Sequence, residues 1–459
     1  MSLLAKTTAS ETRREPPGLG LWQFFRLLPA LRRDPLRIFA ELPRRYGDVV
    51  RMKGVWTSYL LNYPADIEHV LQTNSQNYRK GRNYEEARAS IGNGLLISEG
   101  DFWRRQRRLA QPAFHRQRIA AFAKVMTDAT EGMLDQWRLR AAPREPFDVA
   151  AEMMRLTLRI VGLTLFSTDL TRETDIIARS LEVARAHTIR RMWQAVKLPV
   201  SFPTTANRRF RRAIRESEGV IYDMIHARRR GEVETDDLLS LLMRARDEET
   251  GEAMSDVQLR DEAATILTAG HETTALALSW TWYLLAQHPH VEQKLHEELT
   301  TVLGGRTPDL DHLPRLKYTL LVIQEAMRLY PPVWAISRTA LGADRVGGYR
   351  IPAGSEILLL PYVTHRHPDL WEQPEAFDPE RFLPERSATR PKFAYFPFGG
   401  GPRQCIGNNF ALMEAQLIVA AVAQQYRLRL VPGHRVEPEP SLTLRPRDGL
   451  MMTLERKTE

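Results

Sequence analysis

Cysteine is all but absent: Cys405 is the single thiol in 459 residues. That excludes an intrachain disulfide framework and fits a reducing compartment, so a cytoplasmic protein is expected. Long hydrophobic runs are missing too. The apolar patch from Leu19 to Leu31 is interrupted by Arg26 and falls short of the roughly 20 apolar residues that span a bilayer. Nor do a charged stretch, an apolar core and a cleavage site follow one another as a secretory leader requires. Neither a transmembrane anchor nor a leader is therefore expected. Repeats, low-complexity tracts and a clean linker are also lacking. One large domain, or a tightly fused pair, should occupy residues 1–459, with 1–33 as an N-terminal extension. Disorder drops out because hydrophobic residues make up 43% of the chain and charged ones 26%, the balance of a globular enzyme with a sizeable core.

Several chemistries lack the residues they need. The stretches HETTA (His271 to Ala275) and HEELT (His296 to Thr300) begin like a zinc metalloprotease helix, but Ala275 and Thr300 stand where the second histidine belongs. The HRH stretch, His365 to His367, has no further ligand beside it and reads as a solvated loop. GGGPRQ misses the G-x-G-x-x-G spacing, so no flavin- or nicotinamide-binding region and no reductase domain are expected. The net charge is +9, and basic residues gather in WRRQRRLAQPAFHRQR, Trp103 to Arg118. No RNA-binding or zinc-finger pattern accompanies them, which argues against nucleic acid. A docking face for an acidic protein, or a plain solvated helix face, fits this stretch.

What is present is helical periodicity, dominant from Asp101 to Leu329. Strand patterns lie towards the ends: a hairpin over Gly47 to Tyr63, strands at Gly348 to Ile351, Glu356 to Leu360 and Tyr426 to Val431, and a late hairpin from Leu442 to Leu454 turning at Arg447-Asp448-Gly449. The fold class is therefore mainly α with a small β portion. One helix is unusually long. Ser255 can cap it and the proline of HPH ends it after Gln287, a length of roughly 50 Å. In its middle the apolar run AATILTA meets a polar block, GHETT (Gly270 to Thr274), which costs stability in a buried helix unless it has partners.

Cys405 has three telling neighbours: Gly401, Arg403 and Gly407. Positions without side chains let something large and flat approach the backbone, and an arginine can hold an anion on its rim. A haem fits. A buried inert cysteine is the plain alternative, and a nucleophile would need a base such as His434, the nearest histidine in sequence.

FGGGPRQCIG (Phe398 to Gly407) matches the cytochrome P450 haem-ligand loop, F-x-x-G-x-R-x-C-x-G, at every fixed position. AGHETT (Ala269 to Thr274) is similar to that family's oxygen-activation segment, EAMR (Glu325 to Arg328) to its E-x-x-R, PERF (Pro379 to Phe382) to the segment completing that motif, and WRRQR (Trp103 to Arg107) to an early W-x-x-x-R. These motifs follow the family's order, and the resemblance extends over the whole chain.

The resemblance implies a P450 fold with one haem domain and haem b held by Cys405 as the proximal thiolate. It implies that Phe398 covers the sulfur, that Gly401 permits the tight turn, and that Gly407 packs close to the porphyrin. Arg403, Arg107, Trp103, Arg338 and Lys80 would bind the propionates through charge-assisted hydrogen bonds. Glu272 and Thr273 would be the acid and alcohol that manage protons, with Gly270 letting the helix open locally. Glu325, Arg328 and Arg381 would form a structural triad. Leu96, Ala269, Ala335, Ile336 and Leu442 would face a lipophilic substrate, a fatty acid, terpenoid or carotenoid. The implied reaction is monooxygenation with O2, with electrons from a separate acidic ferredoxin or flavodoxin-type donor steered by Arg104, Arg105 and Arg108. The alternatives are a peroxide-using or rearranging P450, or a haem-thiolate sensor or electron carrier.

Overall fold

The computed structural model describes residues 15–140, 145–170, 173–194, 197–232, 235, 237–247 and 251–456. These described residues fall into two compact units: one within Met1–Tyr84, Val333–Ala376 and Ala388–Cys405, the other within Glu85–Pro332, Phe377–Ser387 and Ile406–Glu459. Residues 1–14 of the expected extension lie outside the described residues, and from Gly18 onward the extension carries a strand and then a helix, Leu21–Arg33. Among the described residues no helix is long and apolar enough to cross a membrane.

The first unit is organised by a six-stranded sheet. Its strands run in the order Gly18–Leu19, Val49–Lys53, Thr57–Leu61, Glu356–Leu359, Ile336–Ala340 and Tyr78–Lys80. The hairpin expected over Gly47 to Tyr63 supplies its second and third strands, Val49 pairing with Leu61. Distant segments join because Leu61, Ile336, Ile357 and Leu359 can bury together with Leu71, Phe393 and Phe396 only when the chain folds back on itself. At the far edge Lys80 lies opposite Arg338.

The second unit is helical around the long helix, Asp256–Gln287. Its start is fixed by a reciprocal cap. The Ser255 hydroxyl accepts from the Gln258 N–H at 3.3 Å, and Gln258 Oε1 accepts from the Ser255 N–H at 2.7 Å. The helix is continuous through Gly270, and a Cβ there would lie 3.3 Å from Val161 of the helix Val149–Leu165. Glycine thus serves close packing of two helices, and Thr157 donates to the His271 carbonyl at 3.0 Å in the same contact.

Two expectations fail. The late hairpin does not form: Leu444–Pro446 pairs instead with Pro438–Pro440, while Met451–Arg456 lies between Tyr426–Leu430 and Phe147–Asp148. The turn residues are used elsewhere: the Arg447 N–H donates to the Glu437 carbonyl at 2.9 Å, and just beyond the turn the Leu450 N–H donates to Asp148 at 2.9 Å. HRH is not a solvated loop either. His365 is fully buried and its Nε2 accepts from the Phe396 N–H at 3.0 Å, while His367 pairs with Asp48 at 3.0 Å.

Candidate active site

In the first unit the cysteine loop is held by backbone geometry. Gly401 adopts φ +65, and any Cβ there would collide with the Leu71 carbonyl oxygen, so only glycine can turn the chain at this point. The Cys405 N–H donates to the Phe398 carbonyl at 3.0 Å, closing the loop with the thiol exposed. Arg403 and Phe398 are half-buried in it. His365, which the sequence reading set aside, clamps the approach to the loop: its acceptor bond fixes Phe396, whose ring meets the imidazole edge-on at 5.3 Å between centroids. The signal for it was present in HRH, but its long-range partner could not be read.

Arg338 is 6% exposed and donates to the Ser337 carbonyl at 2.9 Å; Lys80, its register neighbour, sits 4.6 Å from the Tyr84 ring centre. The two cations are thus brought side by side. Ala335 and Ile336 are not. Ala335 packs with Leu60 and Leu360, whereas Ile336 packs with Phe393 and Phe396, because neighbouring residues of an extended chain point to opposite faces.

In the second unit Trp103 and Arg107 share one face of the helix Gly100–Ala110 and line a cavity of about 680 Å³ with Arg104, Arg108, His115 and Arg118. The basic cluster is partly neutralised within the chain. Arg105 and Arg108 reach the buried Asp247 at 3.1 and 3.0 Å. Gly407 stands at the start of the helix Asn408–Gln425.

The polar block of the long helix has partners. Glu272 Oε1 accepts from the Thr443 hydroxyl at 2.8 Å, and Thr273 Oγ1 donates to the Ala269 carbonyl at 2.7 Å. Thr274 donates to the Gly270 carbonyl at 3.1 Å. Back-bonding of this kind commits the hydroxyl proton to the helix and leaves oxygen lone pairs outward. Thr443 is placed by the segment that follows it, for Trp280 Nε1 donates to the Leu444 carbonyl at 2.9 Å. Leu442 beside it is 40% exposed, Ala269 is exposed, and Leu96 is half-buried between Leu95 and Ile97.

Burial pushes the imidazole of His271 below its usual range, against the Leu267 carbonyl that favours the charged form. Sequence reasoning missed Glu414, a fully buried acid in the apolar run ALMEAQLIVAAVA. Burial pushes its carboxyl well above the ordinary range, with the Thr274 hydroxyl opposing. A lone acid inside such a run was the available signal.

The triad is complete. Glu325 Oε2 accepts from Arg328 Nε at 2.7 Å, and its Oε1 accepts from Arg328 Nη2 at 2.8 Å, Arg381 Nε at 3.0 Å and the Asp378 N–H at 3.0 Å.

The cytochrome P450 family model matches residues 16–454. The chain belongs to the cytochrome P450 family. Cyclooctatin synthase of Streptomyces melanosporofaciens is 41% identical over 416 residues, covering 90% of this chain and 89% of that protein. Cyclooctat-9-en-7-ol 5-monooxygenase of the same organism is 39% identical, covering 88% of this chain and 87% of that one. Pentalenene oxygenase of Streptomyces avermitilis is 35% identical, covering 88% and 89%. This P450 is accordingly a mainly α haem enzyme and a monooxygenase, which uses O2, a lipophilic substrate and a redox partner.

The donor set fits a haem. It combines an exposed thiol in a glycine-locked loop with arginines and a lysine suited to two carboxylates, and Lys80 and Arg338 are already paired across the sheet edge.

Proposed function

We propose that this P450 hydroxylates a terpenoid, with haem b held by the thiolate of Cys405 and electrons supplied by an acidic ferredoxin-type protein. The observation that carries the reading is the glycine-locked loop around the chain's single cysteine. When bound, the haem supplies the iron chemistry that activates O2. Arg403, Arg338, Lys80, Trp103 and Arg107 would hold its propionates, and Phe398 would shield the sulfur from water and from competing donors.

The residues of the long helix then handle protons. Thr273 gives its own proton to the Ala269 carbonyl, so Oγ1 accepts a hydrogen bond from a donor at the site. Glu272, steadied by Thr443, is the group that releases and recovers a proton. Leu96, Ala269 and Leu442 would offer apolar surface to the substrate, whereas Ala335 and Ile336 point to opposite faces of their strand and cannot both do so. The preference for terpenoids over fatty acids rests on relatives named for cyclooctatin and pentalenene. The basic face at Arg104 and Arg118, beside Arg107, suits an acidic donor by charge.

Titration of the haem-loaded protein with cyclic terpenes and terpene alcohols, and with fatty acids, tests the substrate class. Terpenoids should move the Soret band from its low-spin to its high-spin position. A shift with fatty acids alone would overturn the assignment.

A further inference from the structure

Two adjacent acids near the start of the long helix hold a segment of chain far away in sequence. Asp261 Oδ2 accepts from the Asn93 N–H at 2.7 Å, and Glu262 Oε2 accepts from the Leu95 N–H at 3.0 Å. The second bond is deeply placed: Glu262 is 0% exposed and Leu95 9%. The segment is shaped to lie this close. Gly92 has φ +67, and a Cβ on it would strike the Asp261 carboxylate; a Cβ on Gly94 would strike Thr265 Oγ1. Glycine at both positions is what allows the backbone to rest on the helix.

The acids are themselves held. Arg260 bridges Asp261 at 3.0 Å and Glu218 at 2.9 Å. Burial, with the charge of Asp261 beside it, pushes the Glu262 carboxyl up to about 7 against the pull of the Leu95 N–H. Glu262 Oε1 and Thr265 Oγ1, three residues apart on one helix face, are buried without a hydrogen-bond partner among the described residues. A helix does not need such groups for its own stability, and burying them costs free energy.

We propose that Asp261 and Glu262 form a clasp that pins residues 92–97 to the long helix and thereby sets how readily a bulky apolar ligand enters and leaves past Leu96. Glu262 is a positioning residue: it acts through the Leu95 backbone and touches no reacting atom. The proposal rests on the reading of Leu96 as facing the substrate.

The test uses the haem-loaded protein and two nitrogen ligands followed by the Soret band, imidazole and 1-dodecylimidazole. Glu262→Leu removes the acceptor at similar volume, and Glu262→Gln restores one. In Glu262→Leu the dissociation rate of 1-dodecylimidazole should rise about tenfold, as expected for losing one hydrogen bond to a buried acid, while imidazole stays within about twofold of wild type. Glu262→Gln should return the long ligand to within about twofold of wild type. Gly94→Ala, which levers the segment off the helix and leaves Glu262 intact, should behave like Glu262→Leu and covers the case in which that variant does not fold. Unchanged exchange of 1-dodecylimidazole in Glu262→Leu or in Gly94→Ala overturns the clasp, as does an equal change for both ligands. Absence of the reduced-CO band from wild type would instead overturn the haem-thiolate reading, so the two failures are distinguishable.

Discussion

Replacing Glu325 by glutamine exchanges one carboxylate oxygen for an NH2 group in a fully buried charge cluster. Glu325 and Arg328 are 0% exposed and Arg381 is 4% exposed at the side chain. One carboxylate there accepts three guanidinium hydrogen bonds and one from the Asp378 N–H. Glutamine keeps one acceptor oxygen but turns the other into a donor aimed at Arg328 or Arg381, and it leaves two buried cations without their counter-charge. Breaking a buried pair in this way costs about 3–5 kcal/mol, a large share of a typical stability of roughly 5–15 kcal/mol. Urea unfolding of the haem-loaded protein, followed by far-ultraviolet circular dichroism, reads the loss as a lower midpoint. The triple variant Glu325→Leu, Arg328→Met, Arg381→Met removes all three charges together and should be less destabilised than Glu325→Gln, because an apolar cluster of similar volume leaves no charge stranded. A loss below about 1 kcal/mol for Glu325→Gln, or a triple variant worse than the single one, would refute the reasoning.

Four further outcomes are expected. Cys405→Ser should abolish the reduced-CO absorption band of the haem-loaded protein; a retained band would remove Cys405 from the iron. Thr273→Ala should leave haem incorporation intact but lower product formed per NAD(P)H consumed and raise hydrogen peroxide, and unchanged coupling would strip Thr273 of its role. The folded protein favours the neutral form of Glu262, whose carboxyl lies near about 7 against an ordinary 4.5. Its contribution to stability is therefore full below about 4.5 and fades as pH rises to about 7, by roughly 3 kcal/mol in all. The stability difference between wild type and Glu262→Gln should change over that window, and a flat difference would contradict it. Raising salt should slow reduction by an acidic ferredoxin, and more steeply in wild type than in Arg104→Glu; salt-independent reduction would place the donor elsewhere.

Much of the candidate site is written in contiguous residues. Phe398 to Gly407 and Ala269 to Thr274 are local patterns, and a glycine forced by a positive φ, as at Gly401, leaves its mark in one position. The long helix was legible for the same reason, since its cap and its terminating proline lie within a few residues of its ends. The late hairpin was not. Its two strands carry the right pattern, yet Met451–Arg456 pairs with Tyr426–Leu430 and Phe147–Asp148 and not with Leu444–Pro446, and pattern alone does not choose a strand's partner.

The partners of single polar side chains were hidden in the same way. Thr443 on Glu272, His365 on the Phe396 N–H and Asp261 on the Asn93 N–H each join residues remote in sequence. By itself the sequence determined the helical class and the family, because those depend on residue type and short-range order. Only the tertiary structure decided which carboxylates are steadied, which are pressed towards neutrality by burial, and which arginines spend their charge within the chain. Solvation and pairing are properties of a folded interior, and no linear order of residues contains them.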